Sequence, residues 1–259
     1  ALEQTARANL QDGIQQSITF ECTGGGFTWF GDPDPAHPIL TAFALVMFED
    51  IAASISVDAG LVTRSIDFVE GQQRPDGSWD TTQHTKNQVM PWDSLRTTCV
   101  VADGLAASGR GDAGALGSAV AYIDDNMNQD ADTYTLAMCT KALLNAAPGE
   151  AVTDVAVTEL LARAQVEGGT TSWDSDYPGV SNAGGEVIQV ETTALAAQAL
   201  FAMDSPPMGV LGGAMKFLAS MKSPDGNFRS TQGTIQAMRA FVAAAKFAAG
   251  EVDVTVQVL

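Results

Sequence analysis

Apolar residues recur every three to four positions along almost the whole chain, and the every-second-residue alternation of a half-buried strand is nearly absent. The stretch Ile39 to Phe48 is one predicted helix, with Pro38 at its first turn, where a missing N–H costs nothing. From Leu61 to Gln72, Val62, Ile66 and Val69 form an apolar stripe that Leu61 and Phe68 widen on one side. The same period predicts helices over 2–19, 94–108, 113–127, 132–147, 153–167, 190–203, 208–222 and 231–249. That makes about ten helices with short connections, which sets sequential neighbours antiparallel. Only Glu251 to Val258 alternates at period two, predicting a strand that leads towards a further β-domain.

A weak repeat punctuates these helices. Pro75-Asp76-Gly77-Ser78-Trp79 recurs as Pro224-Asp225-Gly226-Asn227-Phe228, with looser versions at Gly24-Gly25-Gly26-Phe27 and at Gly168-Gly169 before Trp173. Pro sets φ, Gly supplies a positive φ for a tight turn, and the aromatic packs back over the helix end. The spacing, about 50 residues or a multiple of it, is the length of a helical hairpin with its loops. Stacked hairpins need caps or closure. Ala-rich text such as Thr193 to Leu200 suits the close packing of an inner ring, so the expected class is all-α. The expected architecture is an α/α toroid over 1–250, followed by a short C-terminal β extension over 251–259.

Composition narrows the function. The chain has 259 residues, 46% hydrophobic and 17% charged, enough to bury a core. Its 13 Lys plus Arg face 31 Asp plus Glu, a net charge of -18. That lacks the basic footprint of a nucleic-acid binder and argues against anionic lipid. No apolar run is long enough to span a bilayer. The first residues, Ala1 to Thr5, lack the basic start and apolar stretch of a signal peptide, so a processed piece or fragment is expected. Cys99 and Cys139 lie in apolar helical text, and all three cysteines, Cys22 included, read as thiols.

Candidate chemistry is sparse. The two histidines, His37 and His84, have no metal-ligand spacing, and no metal or cofactor is expected. Phosphate-loop and nucleophile-elbow motifs are absent from the sequence. Adjacent carboxylates such as Asp124-Asp125 point about 100° apart on a helix and make poor acid–base partners. Asp103 and Glu191 lie within apolar text, which fits a structural pairing or a carboxylate facing an interior. The loop from Trp79 to Pro91 is the most polar long connection and carries His84 and Asn87.

Four stretches resemble the thioester domain of the alpha-2-macroglobulin and complement superfamily. Leu10 to Gln16 with Gly25-Gly26-Phe27-Thr28-Trp29-Phe30-Gly31 is similar to the family's Gly-Tyr-Gln helix and Gly-aromatic turn. Leu40-Thr41-Ala42-Phe43 matches its Leu-Thr-Ala-aromatic stretch. Val190-Glu191-Thr192-Thr193 matches its Val-Glu-x-Thr motif. Gly226-Asn227-Phe228-Arg229-Ser230-Thr231-Gln232 matches Gly-Gly-Phe-x-Ser-Thr-Gln, the most specific of the four. Gln73 to Gly77, followed by Trp79, and Asp132 to Ala137 fall in order between them.

The resemblance implies a non-enzymatic domain of a protease-trapping, macroglobulin-like protein. That parent is expected to be exported, and the simple Ala- and Gly-rich text suggests a bacterial one. Its partners would be the parent's other domains and, through them, target proteases, with no nucleic acid and no membrane insertion. The family's chemistry is a thioester within Cys-x-Glu-Gln. Here Ala1-Leu2-Glu3-Gln4 carries Ala where that motif has Cys. Two readings stand: Gln4 is the acyl donor of a Cys-to-Ala variant, or the thioester segment belongs upstream. In some members a His in the loop after the Pro-Asp-Gly turn attacks the thioester, while Asn or Asp there favours amines, so His84 and Asn87 are both candidates. A toroidal terpene cyclase or prenyltransferase is the alternative, but its Asp-x-Asp-Asp or Asp, Cys and His zinc set is not evident. An acidic binding scaffold is the third reading.

Overall fold

The computed structural model describes residues 2–31, 35–81, 93–128, 131–180 and 182–251. Its helices are α1 (Leu2–Ile18), α2 (Pro38–Ala52), α3 (Ala59–Gly71), α4 (Ser94–Ser108) and α5 (Ala113–Asn126). They continue as α6 (Thr133–Ala146), α7 (Ala151–Ala162), α8 (Glu186–Phe201), α9 (Met208–Met221) and α10 (Thr231–Glu251). The class is all-α, as the apolar period predicts.

Aspartates explain where several helices begin. Asp58, Asp93 and Asp112 precede α3, α4 and α5 and accept backbone N–H groups of the first turn at 2.8, 2.9 and 2.8 Å. Each satisfies an orphan donor and places negative charge at the positive end of the helix dipole. Part of the acidic composition is therefore capping. His37 does the same for α2 with a neutral acceptor: its Nδ1 takes the Ile39 N–H at 3.2 Å, and Pro38 follows at N1.

Three expectations need correction. The helix predicted over 153–167 ends at Ala162, and an antiparallel pair follows, β1 (Gln165–Glu167) and β2 (Thr170–Ser172). Gly168 and Gly169 stand at φ +56° and +82° and close the two-residue turn; mirror-type turns of this kind match strand twist. At the other end, α10 runs through Glu251, so the residue expected to open a strand closes a helix. The rest of that expected strand, residues 252–258, lies outside the described residues. Finally, Cys99 and Cys139 are disulfide-bonded, while Cys22 is a buried thiol. Nothing in the apolar text around Cys99 and Cys139 separates a bridged cysteine from a small hydrophobe.

The chain falls into two compact units, residues 1–128 with 145–147, and residues 129–144 with 148–259. In the first, α2 packs on α4, with α3 and α5 against them. A Cβ at Gly104 of α4 would lie 2.8 Å from the Ala42 carbonyl oxygen of α2, so glycine permits this approach. In the second, α8 packs on α10, and α9 lies against α8 and β2. The closest helix contacts thus join alternate helices. Burial follows the same alternation: α8 is buried from Val190 to Leu200, whereas α5 buries only Ala119 and Ile123. A helix apolar on every side belongs inside, and one with a single stripe belongs at the surface.

Candidate functional site

The repeated turns share one backbone design. At Arg74 to Ser78, Gly77 N–H donates to Arg74 C=O and Arg74 N–H to Ser78 C=O, both at 2.9 Å. Ser223 to Asn227 repeats this with Gly226 at 2.9 Å in both bonds, and Cys22 to Gly26 with Gly25 at 3.0 and 2.9 Å. The pivotal glycines have φ of +86°, +90° and +95°. Such values cost an L-residue strain. At Gly77 a Cβ would also fall 2.2 Å from the Ser118 carbonyl oxygen.

Asp76 stiffens its turn by accepting from Ser78 Oγ at 2.7 Å and Ser78 N–H at 3.1 Å. Those bonds, the hydroxyl first, hold the Asp76 carboxyl below the usual aspartate range. Asp225 is lowered in the same direction, chiefly by Ser223 Oγ.

An aromatic residue follows each turn and is latched by a threonine. Phe27, Trp79, Trp173 and Phe228 donate their backbone N–H to Oγ1 of Thr41, Thr98, Thr193 and Thr234 at 2.9, 3.1, 2.9 and 2.9 Å. These threonines sit on α2, α4, α8 and α10. Both indole N–H groups reach back to the preceding helix, Trp79 to Val69 C=O and Trp173 to Leu160 C=O, each at 2.7 Å. Each aromatic ring is thereby buried with its polar groups satisfied.

The second unit holds a buried polar cluster at the start of α10. Glu191 of α8 is fully buried, and its Oε1 accepts from Ser230 Oγ at 2.9 Å. Ser230 Oγ also accepts the Gly233 N–H at 2.8 Å, so it caps α10 and partners Glu191 at once. Tyr134 of α6 lies beside them. Burial pushes its hydroxyl pKa well above the ordinary value, the Glu191 charge adds to this, and a hydrogen bond from the Val180 backbone opposes it. Asp132 takes Thr135 N–H at 2.9 Å and Ser175 Oγ at 3.2 Å, tying the start of α6 to the loop after β2.

Arg229 lies between Phe228 and Ser230 at φ +70°, spanned by a Ser230 N–H to Phe228 C=O bond of 2.9 Å. This three-residue turn is strained for a non-glycine residue. It directs Arg229 outward, where its guanidinium pairs with Glu186 at 3.3 Å. An open cavity of about 470 Å³ lies there, lined by Asn227, Arg229, Ser230, Thr231, Thr234 and Ile235.

The structure gathers part of the sequence-derived set. Glu191 of α8 meets the Gly226 to Gln232 segment through Ser230, while Thr193 of the same helix latches Trp173, with Phe228 buried and Thr231 exposed at the first position of α10. Thr41, Gly77 and Trp79 serve latches and turns in the first unit. Gln4 is exposed on the first turn of α1. His84 and Asn87 lie outside the described residues. Asp103 accepts from Asn145 Nδ2 at 2.7 Å, a structural pairing. Sequence reasoning placed Tyr134 only within the Asp132 to Ala137 stretch and missed its position beside Glu191, as well as the acceptor role of Thr98 and Thr234. Among the described residues no cluster of three or more His, Cys, Asp or Glu side chains could hold a metal ion, and no helix is long and apolar enough to cross a membrane.

These features are turns, caps and latches that hold rigid surfaces, with no nucleophile–base pair among the hydrogen bonds described. Compared with known families, residues 1–243 match the model of the A-macroglobulin TED domain.

Proposed function

Because the chain belongs to the family of A-macroglobulin TED domains, we propose that it is the thioester-presenting domain of an alpha-2-macroglobulin-like, protease-trapping protein. The match over residues 1–243 carries this reading. Two observations support it. The Gly-Asn-Phe-Arg-Ser-Thr-Gln stretch is built as a rigid turn and helix cap on buried Glu191. The disulfide state of Cys99 and Cys139 suits an oxidising, extracytoplasmic compartment.

In this reading the domain does no turnover. It shelters a thioester until bait cleavage elsewhere in the parent frees it, then lets it acylate the protease. The bond is supplied by a Cys-x-Glu-Gln sequence, which residues 1–259 do not contain. The neutral imidazole of His84 attacks the thioester carbonyl, the C–S bond breaks, and the cysteine leaves as thiolate. A target hydroxyl oxygen then attacks the acyl-imidazole, the C–N bond breaks, and the thiolate takes the hydroxyl proton, leaving an ester. If Asn87 is the neighbour instead, amines attack the thioester directly and form amides.

The partition between glycerol and an amine separates these routes. In the full-length parent, His84→Ala is expected to shift acyl transfer from glycerol towards amine while Asn87→Ala leaves the ratio unchanged. An unchanged ratio in His84→Ala removes His84 from the chemistry.

A further inference from the structure

The outward face of α10 bears an aligned apolar stripe. Ile235, Met238 and Val242 are 45%, 52% and 49% exposed, whereas Ala237 and Ala240 on the opposite face are fully buried. Residues three and four apart lie over one another on a helix, so the three make one continuous strip. Single exposed hydrophobic residues need no explanation, but an aligned set does. By helical register Arg239 and Lys246 lie along one edge of the strip. At its N-terminal end the strip runs through Ile235 into the cavity that Arg229 borders.

The sequence here is locally basic within a chain of net charge -18: from 206 to 251 it holds Lys216, Lys222, Arg229, Arg239 and Lys246 against Asp225 and Glu251, with Arg229 paired to Glu186 of α8. We propose that this face of α10 docks an acidic amphipathic helix from another protein segment. Its apolar side chains lie along Ile235, Met238 and Val242, and its carboxylates face Arg239 and Lys246. This is helix-in-groove recognition, with charge complementarity setting the partner. A second copy meeting face to face would bring like charges together. An anionic bilayer would be repelled by the net charge of the whole chain. The inference does not depend on the thioester reading.

The test uses the 259-residue chain and two labelled helical peptides of roughly 14 residues, about 21 Å long. One carries a Leu stripe flanked by Glu and the other the same stripe flanked by Lys. Fluorescence anisotropy at low salt is expected to show the Glu peptide binding with Kd on the order of 10–100 μM, and the Lys peptide at least roughly tenfold more weakly. Met238→Glu is expected to weaken the Glu peptide by about tenfold or more, with circular dichroism unchanged. Val242→Gln serves as the second variant should Met238→Glu disturb the fold, and Lys246→Glu should reduce the salt dependence. Equal binding of both peptides, no binding of either, or indifference to the α10 substitutions overturns the proposal. So does a dimer in sedimentation velocity that Met238→Glu abolishes, which assigns the face to a second copy. Flotation with phosphatidylglycerol vesicles that Met238→Glu abolishes assigns it to lipid and overturns it equally.

Discussion

Thr193 shows how much a single hydroxyl does in this molecule. Its Oγ1 accepts the Trp173 N–H in a site where both residues are fully buried, so Thr193→Val keeps the shape and orphans the donor. We expect a loss of about 1–3 kcal/mol in urea unfolding, restored largely by Thr193→Ser. A valine variant as stable as the parent would show that the latch carries no weight. Glycine gives a paired comparison. Gly77 and Gly149 have similar φ, +86° and +80°, but only Gly77 faces backbone at clashing distance. Gly149→Ala is expected to cost about 1–2 kcal/mol from strain alone, and Gly77→Ala clearly more, by the same unfolding assay. Equal costs would mean that the approach of Ser118 is not tight.

Carboxylates give the residue scale its pH dependence. Asp76 and Asp225 have folded-state pKa values below those of the unfolded chain. Their contribution is therefore fully present above the unfolded value and is lost as pH falls through the folded one. Carboxyl-carbon NMR titration is expected to place both below ordinary aspartate, and Asp76→Asn should flatten that part of the acid limb. A midpoint at the ordinary value would contradict the Ser78 and Ser223 hydrogen bonds. The residue scale is also where sequence reading fell short. The aromatic and its threonine are 14, 19, 20 and 6 positions apart in the four latches, so no spacing motif links them. Tyr134 and Glu191 come together only through tertiary packing.

At the scale of elements the sequence was far more legible, because a 3.6-residue period and an Asp or Pro at the start are local signals. α4 begins and ends where its apolar period predicts, with Gly109 in the left-handed conformation at its end. The misses have local causes too. Gly168-Gly169 reads as a turn, but its flanking strands have three residues each, too short for alternation to register. α8 begins at Glu186, earlier than expected, because Gly184-Gly185 ends the preceding loop there rather than at the first apolar pair. The bridged state of Cys99 and Cys139 left no trace in the helix text around them. Thiol titration checks it: the denatured, unreduced chain should report one thiol, from Cys22, and three after reduction. Three thiols before reduction would refute the disulfide-bonded state of these cysteines and weaken the case for an oxidising compartment.

For the molecule as a whole, family membership rests on a match covering most of the chain, and the reactive bond belongs to the proposed function. The candidate site is legible as motifs, since Glu191, Thr193 and the Gly226 to Gln232 segment all carry family text, but the Ser230 bond that joins Glu191 to that segment is a tertiary contact. What those motifs specify in the structure is a set of turns, caps and latches around buried Glu191. Charge is unevenly placed, with Asp58, Asp93 and Asp112 capping helices in the first unit and five of the 13 cations falling between 206 and 250. The most direct test treats the intact parent protein with methylamine, then follows thiol release and intact mass. The account predicts one thiol released and one methylamine bound per chain, with the adduct on the glutamine of a Cys-x-Glu-Gln sequence. No thiol released and no adduct would contradict it.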